Sequence, residues 1–317
     1  MNHQLSTMTD WIKAARLRTL PLSMSGIIIG SFIARWRINE TSGSWDWKIF
    51  AMALVVTLLY QILSNFANDY GDGIKGTDQL RVNEAEQRAV ASGRITAAQM
   101  RNAVILFSIL SLVATVALLY LAFFKENLMS EFYTFVGLGV ACILAAIGYT
   151  IGKKPYGYLG LGDIMVFIFF GLVSVCGSYF LFTKHFDWDL LLPATAVGLL
   201  SAAVLNLNNM RDIESDAMSG KKTLALRLGF KGAMVYEIIL LQLPLIIMLV
   251  FMMMNGLHTE GKYYAFIFFI LMLPMTALRR KIMQVKEPKE LDPFLKQVGI
   301  LTLTMAVLVA AGLNYFN

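Results

Sequence analysis

Long apolar runs recur from one end of the chain to the other, separated by short polar stretches. An α-helix rises about 1.5 Å per residue, so roughly 20 apolar residues cross a hydrocarbon core about 30 Å thick. Nine runs approach that length, over residues 19–36, 49–66, 103–124, 132–151, 161–182, 190–206, 233–254, 263–278 and 298–316. The pattern predicts an all-α polytopic membrane protein with nine transmembrane helices. Residues 19–36 and 263–278 are the weakest spans. The first is rich in Gly and Ser, and the other is short for the hydrocarbon core.

Composition agrees with this reading. Hydrophobic residues make up 57% of the chain and charged residues only 15%, against about a quarter charged in a soluble domain. The charges are distributed unevenly. With nine spans, 21 of the 27 Lys and Arg residues fall on the side of the N-terminus and six on the other. The positive-inside rule then makes the N-terminus cytoplasmic and the C-terminus external. The net charge of +6 reflects that bias. No nucleotide loop or nucleic-acid-binding signature accompanies it, so no nucleic-acid role is expected. Residues 1–18 are polar and lack the apolar core of a signal peptide, so no processing is expected. Cys142 and Cys176 lie within spans and read as core residues. No linker divides the chain, which reads as one membrane-embedded domain over 1–317.

Polar residues cluster where two of the runs end. The first cluster is Asn65, Asn68, Asp69 and Asp72, followed by Gly76 and Asp78. The second is Asn208, Asn209, Asp212 and Asp216. On a helix, Asn65, Asn68, Asp69 and Asp72 fall at i, i+3, i+4 and i+7, and Asn208, Asp212 and Asp216 at i, i+4 and i+8, each a single stripe. Both stripes belong at the cytoplasmic mouth of the bundle. Facing oxygen donors of this kind suit Mg²⁺, which binds through one or two carboxylates plus substrate phosphates. Two such ions would bridge a diphosphate. Asp46-Trp47 through Asn68 resembles Asp187-Trp188 through Asn209 at an offset of 141 residues. This suggests two parallel four-helix repeats, about 11–160 and 161–290, plus a ninth helix.

Basic residues surround the clusters. Lys75, Arg81, Arg88 and Arg94 follow the first, Arg211, Lys221 and Lys222 accompany the second, and Lys153 and Lys154 lie on the loop between spans four and five. Such groups can neutralise a leaving diphosphate, a large catalytic effect when charge develops in a dry site. His3, His185 and His258 all lie away from the acids, which argues against a histidine base or zinc there. Gly26 and Gly30 form a small-xxx-small pair suited to close helix contact. Methionine- and phenylalanine-rich spans can line a pocket for a flexible apolar chain. A transporter with acidic ion sites is the alternative from another class. It would place ionisable groups near mid-bilayer, whereas these gather at the cytoplasmic ends.

Asn68-Asp69-x-x-Asp72 and Asn209-x-x-Asp212-x-x-x-Asp216 resemble the two signature motifs of the UbiA superfamily of intramembrane prenyltransferases, and the likeness extends over nearly the whole chain. The usual first motif ends in Asp four residues after its second acid. Here Gly76 holds that place and Asp78 follows. That variant resembles the 1,4-dihydroxy-2-naphthoate polyprenyltransferase branch, the enzymes of menaquinone biosynthesis. So do Arg18-Thr19-Leu20-Pro21, Lys154-Pro155-Tyr156-Gly157-Tyr158 with Gly160-Leu161-Gly162-Asp163, and Lys222-Thr223-Leu224-Ala225. The resemblance implies a Mg²⁺-dependent transferase of the bacterial inner membrane. It would move a polyprenyl group from its diphosphate to 1,4-dihydroxy-2-naphthoate, releasing diphosphate and CO₂ and giving demethylmenaquinol. Asn68, Asp69, Asp72, Asp78, Asn208, Asn209, Asp212 and Asp216 would hold the metal. Lys75, Arg81, Arg88, Tyr149, Lys153, Lys154, Arg211 and Lys222 would bind diphosphate, Tyr149 and Lys153 matching the superfamily's Tyr-x-x-x-Lys. Arg18 would bind the acceptor's carboxylate. A related acceptor such as 4-hydroxybenzoate is the nearer alternative. No obligate protein partner is implied.

Overall fold

A computed structural model describes residues 6–40, 45–76, 88–259 and 261–314. Among them there are helices and turns and no strands. Asp78 and Arg81 lie outside the described residues.

Side-chain caps fix where several helices begin. Thr7 and Asp10 form a reciprocal capping box on α1, Met8–Ala15. A single left-handed residue and a 3-10 turn then lead into α2, Leu20–Glu40. Pro21 falls in the first turn of α2, where its missing N–H breaks no helical bond. Asp46 caps α3, Trp47–Ile74, and a Thr96–Gln99 capping box starts α4, Ala97–Ala122. Next come α5, Met129–Gly148, and α6, Gly162–Thr183, which is wound as a π-helix over Phe167–Val173. α7 is Leu191–Arg211, followed by the short α8, Ile213–Met218. Thr223 caps α9, Leu224–Met254, which breaks at Gly229 (φ 67°). The chain ends with α10, Met272–Met283, and α11, Asp292–Asn314.

Eight helical segments among the described residues are long and apolar enough to cross a membrane. They correspond to all the expected spans except 263–278. There the chain runs as a 3-10 helix over Tyr263–Leu271 before α10. A 3-10 helix rises about 2.0 Å per residue, so the short apolar run reaches further than an α-helix of equal length. Large apolar side chains point outward, among them Leu144, Val113 and Leu273, the last 75% exposed. A lipid-facing surface has this character, because no hydrophobic effect operates against an acyl chain.

Three apolar clusters hold the bundle together. The largest joins α2, α6, α7, α9 and α11 through residues such as Ile33, Val175, Leu200, Met248 and Met305. The second packs α2, α3, α4 and α6 around Phe50, Leu119 and Leu181. The third joins α1, α3, α4 and α5 around Phe66, Met100 and Ile143. Gly26 and Gly30 let α2 and α6 touch. A Cβ at Gly30 would lie 2.2 Å from the Val175 carbonyl oxygen, and one at Gly26 2.2 Å from Ser174 Oγ. A buried polar pair ties α7 to α9, where Asn206 Nδ2 donates to Glu237 Oε2 at 2.9 Å and to the Ala233 carbonyl at 3.0 Å.

Candidate active site

A cavity of about 400 Å³ opens beside the ends of α3 and α7. Along α3 its wall runs from Asp72 back to Ala53, about 28 Å at helical rise. One end is polar, with Asn68, Asp72, Asn208, Asn209, Asp212 and Asp216 in the wall. The far end is apolar, formed by Ala53, Leu118, Leu119, Phe135 and Leu181. The π-helical stretch of α6 contributes Phe169, Phe170 and Val173. An extra residue in a helical turn shifts side chains around the helix axis, and such turns are common at functional sites.

The second cluster keeps its stripe although α7 ends within it. The Asp212 N–H bonds to the Asn208 carbonyl at 3.0 Å and the Asp216 N–H to the Asp212 carbonyl at 2.9 Å. Helical register therefore continues through the break. In the first cluster the stripe divides. Asn65, Asn68 and Asp72 line the cavity, but Asp69 does not. Its carboxylate, 1% exposed, accepts the backbone N–H groups of Ala89 and Val90 at 3.1 and 3.0 Å. At about 100° per residue the four positions cover a wide arc. Asp69 lies on one edge of that arc, where the returning loop meets it. The structure thus makes Asp69 a loop anchor, in place of the cavity-facing ligand expected from spacing.

Each remaining acid has a cation. Asp72, 1% exposed, receives Arg88 Nη1 at 2.5 Å on Oδ2 and the Tyr158 hydroxyl at 2.7 Å on Oδ1. Lys221 Nζ stands 3.6 Å from Asp72 and 3.4 Å from Asp216, so one ammonium bridges the two clusters. Arg211 grips Asp212 through Nε and Nη2 at 2.8 and 2.9 Å and also donates to Asn208 Oδ1. Its Nη1 pairs with Asp292 at the start of α11. Asp292 in turn lies 3.6 Å from Arg18, which lines the cavity beside Arg16. Arg16 ends α1 in the left-handed region at φ 49°, where a non-glycine side chain is uncommon and points to a local requirement.

The other expected diphosphate ligands separate. Tyr149 lines the cavity. Burial, with the carboxylates of Asp72, Asp163 and Asp216 nearby, raises its hydroxyl far above the ordinary phenol value. Lys153, Lys154 and Lys222 are exposed and stand outside the cavity wall. The loop carrying Lys153 and Lys154 turns outward after Thr150 and returns to the cavity at Tyr156, and Lys222 alternates with the inward Lys221. Lys75 donates to the Thr150 carbonyl at 2.7 Å and packs over the Tyr158 ring. Burial lowers its pKa, opposed by Asp72 and reinforced by Lys221. Tyr158 and Asp292 are contributors that spacing alone did not single out, and Lys221, noted beside the second cluster, takes the place expected for Lys222. Tyr158 stood within a conspicuous motif and Lys221 directly before one. For Asp292 the only signal is an acid at the N-terminus of a helix.

The donor set suits a hard divalent cation. Among the described residues no three His, Cys, Asp or Glu side chains converge on one point. What the cavity offers is carboxylates on two facing elements, amide oxygens between them, and room for an oxyanion. Mg²⁺ uses that combination, keeping open positions for water and phosphate. Lys221 already holds a compact positive charge between Asp72 and Asp216.

A helical bundle with an acid-lined polar mouth and a deep apolar cavity defines an intramembrane enzyme for amphiphilic substrates. Residues 38–299 match the UbiA prenyltransferase family, and the chain belongs to that family. Members of the family generally use a divalent metal. The chain is 40% identical to the 1,4-dihydroxy-2-naphthoate octaprenyltransferase of Haemophilus influenzae, covering 96% of this chain and 95% of that one. It is 39% identical to the Escherichia coli protein of the same name, covering 93% and 91%. It is 34% identical to the Mycobacterium tuberculosis protein of that name, covering 98% and 99%. The solved structure of a UbiA homolog from Aeropyrum pernix K1 shares the fold, with a TM-score of 0.62 at 16% identity over 94% of this chain and 97% of that one.

Proposed function

We propose that this protein transfers a polyprenyl group from a polyprenyl diphosphate to 1,4-dihydroxy-2-naphthoate, releasing diphosphate and CO₂ and forming demethylmenaquinol. The observation that carries the reading is the single cavity that joins both acid clusters to a long apolar chamber. The near-full-length relatives carry that activity in their names. The metal would be Mg²⁺, and Asp72, Asp212 and Asp216 with Asn68, Asn208 and Asn209 would hold it. When bound, Mg²⁺ withdraws charge from the diphosphate and stabilises it as a leaving group.

The chain's own residues perform the rest. Lys221 and Arg88 lie beside the acids and neutralise the departing anion. Arg211 holds Asp212 and Asn208 in place. Tyr149, in the cavity wall, would donate a hydrogen bond to the diphosphate. The apolar walls exclude water while the allylic C–O bond breaks, which protects the developing carbocation from hydrolysis. Arg18 orients the acceptor by its carboxylate. The ring carbon bearing that carboxylate attacks the allylic carbon. The C–C bond to the carboxylate then breaks, CO₂ departs, and its electron pair restores the aromatic ring. With nine crossings, Tyr263–Met283 the eighth, the bias of Lys and Arg would put the polar mouth at the cytoplasmic face of a bacterial inner membrane.

The test is a membrane assay of wild type, Asp72→Ala and Asp212→Ala with one polyprenyl diphosphate and several aromatic acceptors, read by mass analysis of the lipid product and by CO₂ release. Loss of product in both variants and selective prenylation of the naphthoate are expected. Near-normal turnover in either variant would overturn the site. Preference for a non-carboxylated ring would overturn the acceptor.

A further inference from the structure

Tyr158 belongs to a motif of the loop after α5 that the proposed chemistry leaves without a task. Its hydroxyl donates to Asp72 Oδ1 at 2.7 Å. Lys75 Nζ stands 4.4 Å from its ring centroid and Lys221 Nζ 5.0 Å. One side chain thus contacts the acid of the first cluster and carries two ammonium groups. A partly desolvated aromatic ring attracts an ammonium group over its face, enough to bias where a flexible lysine rests.

The backbone at Tyr158 is held just as firmly. The 3-10 turn Tyr156–Leu159 ends at Gly160, which takes φ 81°. A Cβ there would lie 2.3 Å from the Lys222 carbonyl oxygen. The Lys222 N–H donates to the Tyr158 carbonyl at 3.1 Å, and Arg227 Nη2 to the Leu159 carbonyl at 3.0 Å. The loop after α5 is therefore pinned to the loop that carries Lys221, and Tyr158 is fixed from both sides. Gly160 and Lys222, both in conspicuous stretches of the sequence, owe their places to this junction.

We propose that Tyr158 is a positioning residue with two separable duties. Its hydroxyl orients Asp72 for metal binding, and its ring holds Lys75 and Lys221 ready for the diphosphate. This rests on the reading of the cavity as a metal–diphosphate site. A hydrogen-bond donor behind a ligating carboxylate fixes which oxygen faces the metal, and loss of such a partner typically costs 10- to 100-fold in metal affinity. The ring's duty needs no hydroxyl, so the two can be divided by substitution.

The experiment measures binding, not turnover. Wild type, Tyr158→Phe and Tyr158→Leu in nanodiscs are titrated with geranylgeranyl thiodiphosphate, a poorly reactive analogue, over a series of Mg²⁺ concentrations and in EDTA. In Tyr158→Phe the Mg²⁺ concentration for half-maximal binding rises about tenfold, while the weaker binding in EDTA stays at the wild-type level. In Tyr158→Leu the Mg²⁺ midpoint rises and binding in EDTA also falls. Thermal midpoints without ligand serve to show that both variants are folded. If Tyr158→Phe keeps the wild-type Mg²⁺ midpoint, or the two variants behave alike, the proposal is wrong. If wild type shows no Mg²⁺-dependent binding, the underlying metal–diphosphate reading fails instead.

Discussion

Replacing Asp69 with Ala separates two roles that an acid in this position can have. The Asp69 carboxylate holds the N–H groups of Ala89 and Val90 and does not face the cavity. Hydrogen bonds to a charged group contribute about 1.5–3 kcal/mol each. Removing both should weaken the local fold around residues 88–95 by about 3 kcal/mol at least. Since about 1.4 kcal/mol is a factor of ten, amide hydrogen exchange at Ala89 and Val90 should accelerate about 100-fold by local opening. Asp69→Asn keeps the shape and one acceptor oxygen, and should show a lesser acceleration. Arg88 precedes these residues and pairs with Asp72 at 2.5 Å. Loosening the loop therefore reduces transfer indirectly, and added Mg²⁺ should not restore it. The assay is exchange by mass spectrometry alongside Mg²⁺-dependent binding of the thiodiphosphate. Unchanged exchange at residues 88–95 together with lost Mg²⁺ dependence would refute the argument and return Asp69 to the metal.

Arg211→Ala strands Asp212 and Asn208 in a wall where the arginine side chain is only 10% exposed. Breaking a buried pair this way costs about 3–5 kcal/mol, read as a lower thermal midpoint, and Arg211→Lys should recover only part of it because a lysine cannot make the paired contact. Gly30→Val drives a side chain into the Val175 carbonyl and should lower the midpoint by the equivalent of about 1–3 kcal/mol or more. Gly137→Ala, on a helix with nothing near the new methyl group, should raise it slightly. Glu237→Gln preserves a hydrogen-bonded partner for Asn206, whereas Glu237→Ala removes one and leaves the Asn206 amide its bond to the Ala233 carbonyl, at a cost of about 1–3 kcal/mol, so only the alanine variant should lose appreciable thermal stability.

Local rules carried the sequence reading a long way. The apolar runs located eight helices long and apolar enough to cross a membrane, and the Asn/Asp spacing located the polar end of the cavity. Those features depend on residues within one or two turns of each other. The misplacements share a different cause. Asp69 satisfies the same helical stripe as Asp72, and only the returning loop distinguishes them. Lys153, Lys154 and Lys222 are near the site in sequence, but the direction of a loop decides whether a lysine reaches it. The role of Lys221 depends on Asp72, about 150 positions earlier in the chain, and Asp292 matters because α11 begins beside Arg211. Such pairings are tertiary, so no periodicity encodes them. The run at 263–278 is short at α-helical rise, but Tyr263–Leu271 wind as a 3-10 helix and reach further per residue.

That winding also bears on how the protein fits its lipid environment. The nine residues Tyr263–Leu271 take the tighter helix. Rewinding them to the α form would shorten the segment by about 4–5 Å, similar to the thickness differences among biological membranes. The segment can thus act as a length compensator. A thinner bilayer would be met by that change of helical pitch, without tilting α3 or α7. The separation between the two acid clusters would then be insulated from lipid composition.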